Sequence, residues 1–368
     1  MMMLALLSMI ALTTGSYNAN CAAAFCPLVP SHRRLLLRLS PKAHDRSVEA
    51  SQRKDDMDEL SKRLGPVPLL YESDGLLAVN KPPGISHHDD PTSGSPGFLS
   101  YIRYLQSQVT ETDLSFPYKG RIYGVHRLDK ATSGILLLAK DAETARKITE
   151  CFKNKTVVKY YVALSGKKPR RKKQGWVKGD MARSRRGTWM LKKSASDPAI
   201  TRFFTAGLGE LTGSKEEDGN RPRTLILFRP HTGRTHQLRV AAKSLGLPIL
   251  GDPYYGDSSG NSPTEGNSSS DIFHRTYLHA AGLHLALGEE QVTIWCSPPF
   301  GHLWDTRSHE GGYISPHTRK EPTEYEKCIM NIMVKHCDCN ELTSVCTLSL
   351  EGTIEQDHPN QRETEKVT

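Results

Sequence analysis

The chain has 368 residues, 37% of them hydrophobic and 24% charged; it can bury a sizeable core in one large or two modest domains, which excludes disorder throughout. Its formal charge of +9 favours polyanionic partners. The excess is uneven: residues 1–54 hold seven Lys/Arg against two Asp/Glu, so local clusters carry more meaning than the total.

In chain order, a short apolar run from Leu4 to Leu12 comes first. It is too short to span a bilayer and reads as a signal-peptide core within residues 1–24, with Ala22, Ala23 and Ala24 offering a small-residue cleavage site before Phe25. Residues 25–54 are rich in Arg, Ser and Leu, as organellar transit sequences are. Together these features resemble the two-part plastid presequence of algae with secondary plastids. A plain secretory signal or a mitochondrial leader is the alternative. No other segment is apolar enough for a membrane span. Residues 55–67 read as a polar linker, with order beginning near Pro68.

Leu76–Asn80 predicts a short strand stopped by the rigid turn Lys81-Pro82-Pro83-Gly84. Phe98, Ile102 and Leu105 fall at helical spacing. Ile135–Ala139 predicts a buried strand, after which Asp141 caps a helix with Ala145, Ile148 and Phe152 on one face. Val157–Leu164 and Thr224–Phe228 are β-rich. Leu238, Ala241, Ala242 and Leu245 mark a helix that Gly246 terminates. Two Gly/Ser/acid-rich stretches, 209–220 and 257–271, read as surface insertions. Residues 68–305 then form the main domain, and 306–368 a C-terminal extension with no clear period. Strands and helices mix without a βαβ rhythm, so the fold class is α+β. Near the C-terminus Cys328, Cys337, Cys339 and Cys346 gather around His336, but without the paired C-x-x-C spacing of a zinc site. They read as reduced thiols, and no metal is expected.

Three blocks carry candidate chemistry. The first, Gly124 to Gly134, holds His126, Arg127, Asp129 and Lys130 just before the buried strand. Charges this dense line a strand-edge loop, and if the loop is extended, Arg127 and Asp129 project to one side. On these residues alone a structural Arg–Asp pair at a sheet edge is the plainer reading. The second block, Arg229 to Arg239, joins a Gly turn to an amphipathic helix. A Thr235 cap, with Arg234 and Arg239 nearby, would suit an anion, whether a ligand phosphate or a protein carboxylate. A solvated basic helix start is the alternative. The third block, 167–193, sets twelve Lys/Arg against one acid, Asp180. It includes Lys172, Lys173, Arg185 and Arg186, interleaved with Trp176 and Trp189, and has turn points at Gly175, Gly179 and Gly187. That pattern suits a phosphate backbone and exposed bases, although a solvated hairpin would share it.

Together the blocks resemble the RluA-type pseudouridine synthase family. The resemblance runs over residues 68–300, through Val79–Gly84, the stretch HRLDKATSGILLLAK at 126–140, Lys159–Leu164, TGRTHQLR at 232–239, Pro248–Asp252 and Leu278–Ala280. It implies a mixed, largely antiparallel sheet with flanking helices and a central RNA-binding cleft. It also implies isomerisation of uridine to pseudouridine in ribosomal or transfer RNA, by a monomer with no membrane association in its mature form. By resemblance Asp129 is the catalytic aspartate, Arg127 enters the stack as the uridine flips out, Tyr161 packs on the uracil, Arg239 pairs with the aspartate, and Leu238 lies beside the base. Ala241 and Ala242 stand where the family often has a histidine.

The reaction detaches uracil at nitrogen 1, rotates it and reattaches it through carbon 5. It needs no redox step or donated group, so no cofactor is expected. A carboxylate can attack covalently or remove a ribose proton, and the residues leave both routes open. Two other classes share these residues: a non-catalytic RNA-binding protein on the same scaffold, and a glycosidase. The first has no use for a buried carboxylate. The second usually needs a second acid, for which Asp252 is the nearby candidate, although a turn-forming role suits it better.

Overall fold

The computed structural model describes residues 43–108, 116, 118–170, 173–184, 187–208, 223–256, 276–298 and 324–336. Residues 1–42 of the expected leader, both expected insertions, Lys172, Arg185, Arg186 and the cysteines at 337, 339 and 346 lie outside them. The chain divides into two units, residues 1–49 and 50–368. Of the first, residues 43–49 are described and helical; the second carries the fold.

A ten-stranded sheet organises that second unit. Its strands are β1 (Leu69–Glu72), β2 (Leu76–Lys81), β3 (Tyr123–Gly124), β4 (Ser133–Ala139), β5 (Val158–Ser165), β6 (Gln174–Gly179), β9 (Ala199–Leu208), β10 (Arg223–Pro230), β11 (Leu278–Leu287) and β12 (Glu290–Trp295). The main path runs β1-β2-β4-β11-β5-β10-β9-β6, with β3 on β4 and β12 on β11. A separate hairpin pairs β7 (Met181–Arg183) with β8 (Trp189–Leu191). Every pairing is antiparallel except β4 with β11, so the expected α+β class with a mixed, largely antiparallel sheet is what the chain adopts.

The apolar run at β4 follows from its place in the sheet. All seven of its residues are buried, because helices and loops cover both faces. Leu136 and Leu138 join a cluster with Phe98, Ile102 and Leu105 of α2 (Phe98–Gln108). Ile135, Leu137 and Ala139 turn the other way, towards Ile148 of α3 (Ala142–Lys153). Asp141 caps α3 as expected, its carboxylate accepting from the Thr144 N–H at 2.8 Å. Beneath β10 and β5 a third cluster gathers Phe203, Phe228, Leu225, Leu238 and Ala242. Leu238 and Ala242 belong to α4 (Gln237–Ser244), which ends at Gly246 in the left-handed region, φ 71°.

Two sequence expectations change. The presumed linker at 55–67 is largely helix: α1 spans Ala43–Leu64, buries Leu60, and packs Met57 and Leu64 against the α2 cluster. The sparse apolar residues at 57, 60 and 64 keep helical spacing. The C-terminal extension contributes α5 (Glu324–His336), which buries Ile329, Ile332 and Met333 in the third cluster. The packed core therefore includes residues past 305.

Candidate active site

Residues 125–132 form the expected loop between β3 and β4. Hydrogen bonds to backbone carbonyls fix its shape. The Thr132 N–H donates to the Asp129 carbonyl at 3.0 Å, and the Gly84 N–H to the Lys130 carbonyl at 2.8 Å. Lys81, at the end of β2 and fully buried, donates its ammonium to the carbonyls of Thr132 (3.0 Å) and Pro82 (2.9 Å), with the Asp129 carbonyl at 3.5 Å. A single buried cation thus ties the Pro-Pro-Gly turn to the Asp129 turn. Burial pushes the Lys81 ammonium down to about 7, and the Asp129 charge works against that fall. Behind the loop, Gly134 has φ 110°, and a Cβ there would lie 2.3 Å from the Ala280 carbonyl of β11. Only glycine allows the two parallel strands to approach so closely at this point.

Asp129 presents a carboxylate that is 22% exposed, with Arg239 Nη1 at 3.8 Å. The tight partner of Arg239 is a different residue. Its Nε and Nη2 donate to Asp252 Oδ2 and Oδ1, both at 2.7 Å, in a two-pronged pair whose side chains are 3% and 0% exposed. Oδ1 of Asp252 also accepts from the Tyr254 and Tyr255 N–H groups at 2.9 and 3.0 Å. The turn-forming reading of Asp252 therefore holds, and the turn serves as the anchor of the arginine. Burial alone would lower the Arg239 pKa, but the Asp252 hydrogen bonds and the charges of Asp252 and Asp129 outweigh it and raise it. The expected Asp129–Arg239 pair is thus one arm of a chain, Asp252–Arg239–Asp129. Arg239 also lies over the rings of Tyr255 (4.9 Å) and Tyr254 (5.6 Å).

Asp129 and Arg239 wall an open cleft. Arg127, Tyr161, Leu238 and Arg234 also line it, as do Lys159 and Leu278. Tyr161 sits on β5, and burial together with the Asp129 charge raises its phenol pKa, so the hydroxyl keeps its proton at physiological pH. The segment 232–237 that forms the opposite rim is folded by Gln237 rather than by a Thr235 cap. The Gln237 carbonyl oxygen accepts from Thr232 Oγ1 (2.8 Å) and the Arg234 N–H (2.9 Å). The α4 N-cap is His236, left-handed at φ 58° and without a side-chain cap. Arg234, on the rim, pairs with the exposed Asp197. Sequence reasoning missed Lys81 and Lys159; the buried Lys81 stood in the quoted Lys-Pro-Pro-Gly stretch but was read only as a strand stop.

Three candidates lie away from the cleft. His126 turns inwards: its Nε2 accepts from the Leu137 N–H at 2.9 Å, and its ring stacks on Phe152 with centroids 4.6 Å apart. It therefore shapes the loop from behind. Lys173 is exposed at the start of β6, where its carbonyl accepts from Thr205. Trp176 is 48% exposed, but it belongs to the other side of the sheet. Tyr161, Phe228 and Phe203 are consecutive cross-strand partners and share the cleft face; Arg229, Arg202 and Trp176 are the next partners along and share the opposite face. The β7–β8 hairpin keeps to the cleft side, its Trp189 N–H donating to the Tyr255 hydroxyl at 2.8 Å.

The inward histidine sets a pH dependence. Burial, with the neighbouring Lys159 and His87 charges, pushes His126 down to about 3, and burial with nearby cations pushes His87 to about 4. Below about pH 6.5 the unfolded chain gains protons that the folded one does not take up, so stability is present above that pH and falls towards pH 4. Each histidine contributes a slope of about 1.4 kcal/mol per pH unit. Urea midpoints should drop between pH 7.5 and 5.0, and His126→Gln, which keeps an acceptor for Leu137, should make the drop shallower.

Comparison with known proteins places these features in context. Residues 75–244 match the family model described as RNA pseudouridylate synthase. An uncharacterized RNA pseudouridine synthase of Haemophilus influenzae is 36% identical over 238 residues, covering 65% of this chain and 90% of that protein. The ribosomal large subunit pseudouridine synthase C of Rickettsia felis is 38% identical over 208 residues, covering 54% of this chain and 59% of that enzyme. Among solved structures, Human RNA Pseudouridylate Synthase Domain Containing 1 is similar at 27% identity and a TM-score of 0.50, over 65% of this chain and 86% of that one.

Proposed function

The chain belongs to the RNA pseudouridylate synthase family, and from that membership we propose that its cleft isomerises uridine in ribosomal RNA of an organelle by an Asp129-dependent route. The observation that carries this is the chain Asp252–Arg239–Asp129, whose buried arginine sits beside a part-exposed carboxylate on the wall of an open cleft. Extrusion costs a few kcal/mol. Arg127, exposed beside Asp129, fills the vacated place in the stack, while Tyr161 and Leu238 hold the flipped uracil between an aromatic face and an aliphatic one. Asp129 then attacks the sugar or the base, or removes a ribose proton. The protonated Tyr161 takes no part as a phenolate; if it accepts the proton from carbon 5, its own must leave at the same time. The bound RNA must complete the cleft walls to keep water from the detached uracil.

The two other classes fit less well. A binding-only protein gains nothing from a charge chain held in a dry wall. A glycosidase would need Asp252 as acid, yet that carboxylate is fully buried and occupied by four donors.

Ribosomal RNA is preferred because the Rickettsia felis relative bears that substrate in its name; transfer RNA is the alternative. The plastid is the preferred compartment, on the apolar run, small residues and basic stretch of 1–54, with the mitochondrion as alternative. We take the enzyme to act as a monomer, and among the described residues no helix is long and apolar enough to cross a membrane. Pseudouridine mapping of plastid, mitochondrial and cytosolic RNA, with and without the gene, tests the whole reading. Loss of a site in plastid ribosomal RNA is expected; unchanged maps in all three would overturn it.

A further inference from the structure

Resting on that reading, we propose that the sheet face behind the cleft is a second RNA surface, on which Trp176 stacks a base from a single strand leaving the active site. Trp176 sits on β6, the edge strand of the sheet, and is 48% exposed. It is flanked by cations: Lys178 Nζ lies 5.1 Å and the Arg202 guanidinium 5.7 Å from its ring. Arg202 in turn lies 4.9 Å over Phe204, whose ring stacks on His336 of α5. Cross-strand register makes this a ladder on one face rather than a scatter of surface residues. A half-exposed indole between two cations offers what a nucleotide strand presents, a flat ring flanked by phosphates.

The ladder is joined to the cleft. The His231 ring lies 5.0 Å from Trp176, and the next residue, Thr232, lines the cleft. A strand leaving over the 232–234 rim therefore meets His231 and then Trp176 as it turns round the end of β10. The occupant is RNA rather than an apolar partner, because both groups flanking the indole are cationic.

Binding of a fluorescein-labelled oligouridylate dodecamer to the full chain tests this. Trp176→Ala should weaken binding about tenfold, with the salt dependence unchanged, and Trp176→Phe should restore most of it. Lys178→Ala should instead reduce the salt slope by about one. Melting temperature and the maximal rate of tritium release from total RNA labelled at uracil carbon 5 should stay at wild-type values in both alanine variants. Wild-type dodecamer affinity in Trp176→Ala would overturn the proposal, as would equal loss in Phe and Ala. Failure of the wild type to release tritium, with the binding pattern intact, would instead sink the isomerase reading and leave this surface standing.

Discussion

Asp129→Asn should abolish release of tritium from uracil carbon 5, a fall of at least about 10⁴-fold to assay background, while RNA affinity stays within about threefold. The amide keeps the size and shape of the side chain but can neither attack nor take a proton. The loop around it should persist, since its geometry comes from backbone groups: the Thr132 N–H on the Asp129 carbonyl, the Lys130 carbonyl on Gly84, and Lys81 on the carbonyls of Thr132 and Pro82. None of these involves the carboxylate. Equal turnover by variant and wild type would remove Asp129 from the chemistry.

Asp252→Asn should be the most destabilising single change at the site. It replaces one carboxylate oxygen with an NH₂ group facing the Arg239 guanidinium, and leaves the buried cation with only the more distant Asp129 carboxylate as counter-charge. Breaking one partner of a buried pair costs about 3–5 kcal/mol, which in a domain of this size lowers the melting temperature by on the order of 10 °C. Activity measured well below the melting point should fall as well, because Arg239 is released from the position that holds it 3.8 Å from Asp129. Removing the stranded charge by Arg239→Met in the same chain should recover part of the stability and none of the activity. A double variant no more stable than Asp252→Asn would show that the anchor contributes little, and calorimetric melts of the three proteins decide it.

How much of this could be read beforehand depends on where each contact lies in sequence. The β4 strand, the α3 cap at Asp141 and the end of α4 at Gly246 are local and follow from apolar runs and single residues. The convergence of residues 129, 161 and 239 on one cleft has no local signal; it came from family resemblance, and the sheet supplies it by placing β11 between β4 and β5. Asp252 looked like a turn residue because it is one, and nothing in Gly-Asp-Pro reveals a partner thirteen positions back. Lys81 was hidden for a similar reason: a lysine after an apolar run reads as a strand end, and its burial depends on carbonyls from residues 129 and 132. Trp176 was legible as an aromatic among cations, but only the register β6–β9–β10 shows which side of the sheet it faces. In α5, Ile329, Ile332 and Met333 have helical spacing, a pattern too short to stand out from its polar surroundings.

In the proposed route uracil is detached, turned and rejoined within one site. The most direct measurement is a nucleoside mass balance on organellar RNA incubated with the purified enzyme and digested to completion. Pseudouridine should appear in step with the loss of uridine, with no free uracil released. Free uracil in place of pseudouridine, or no change in either nucleoside, would contradict it.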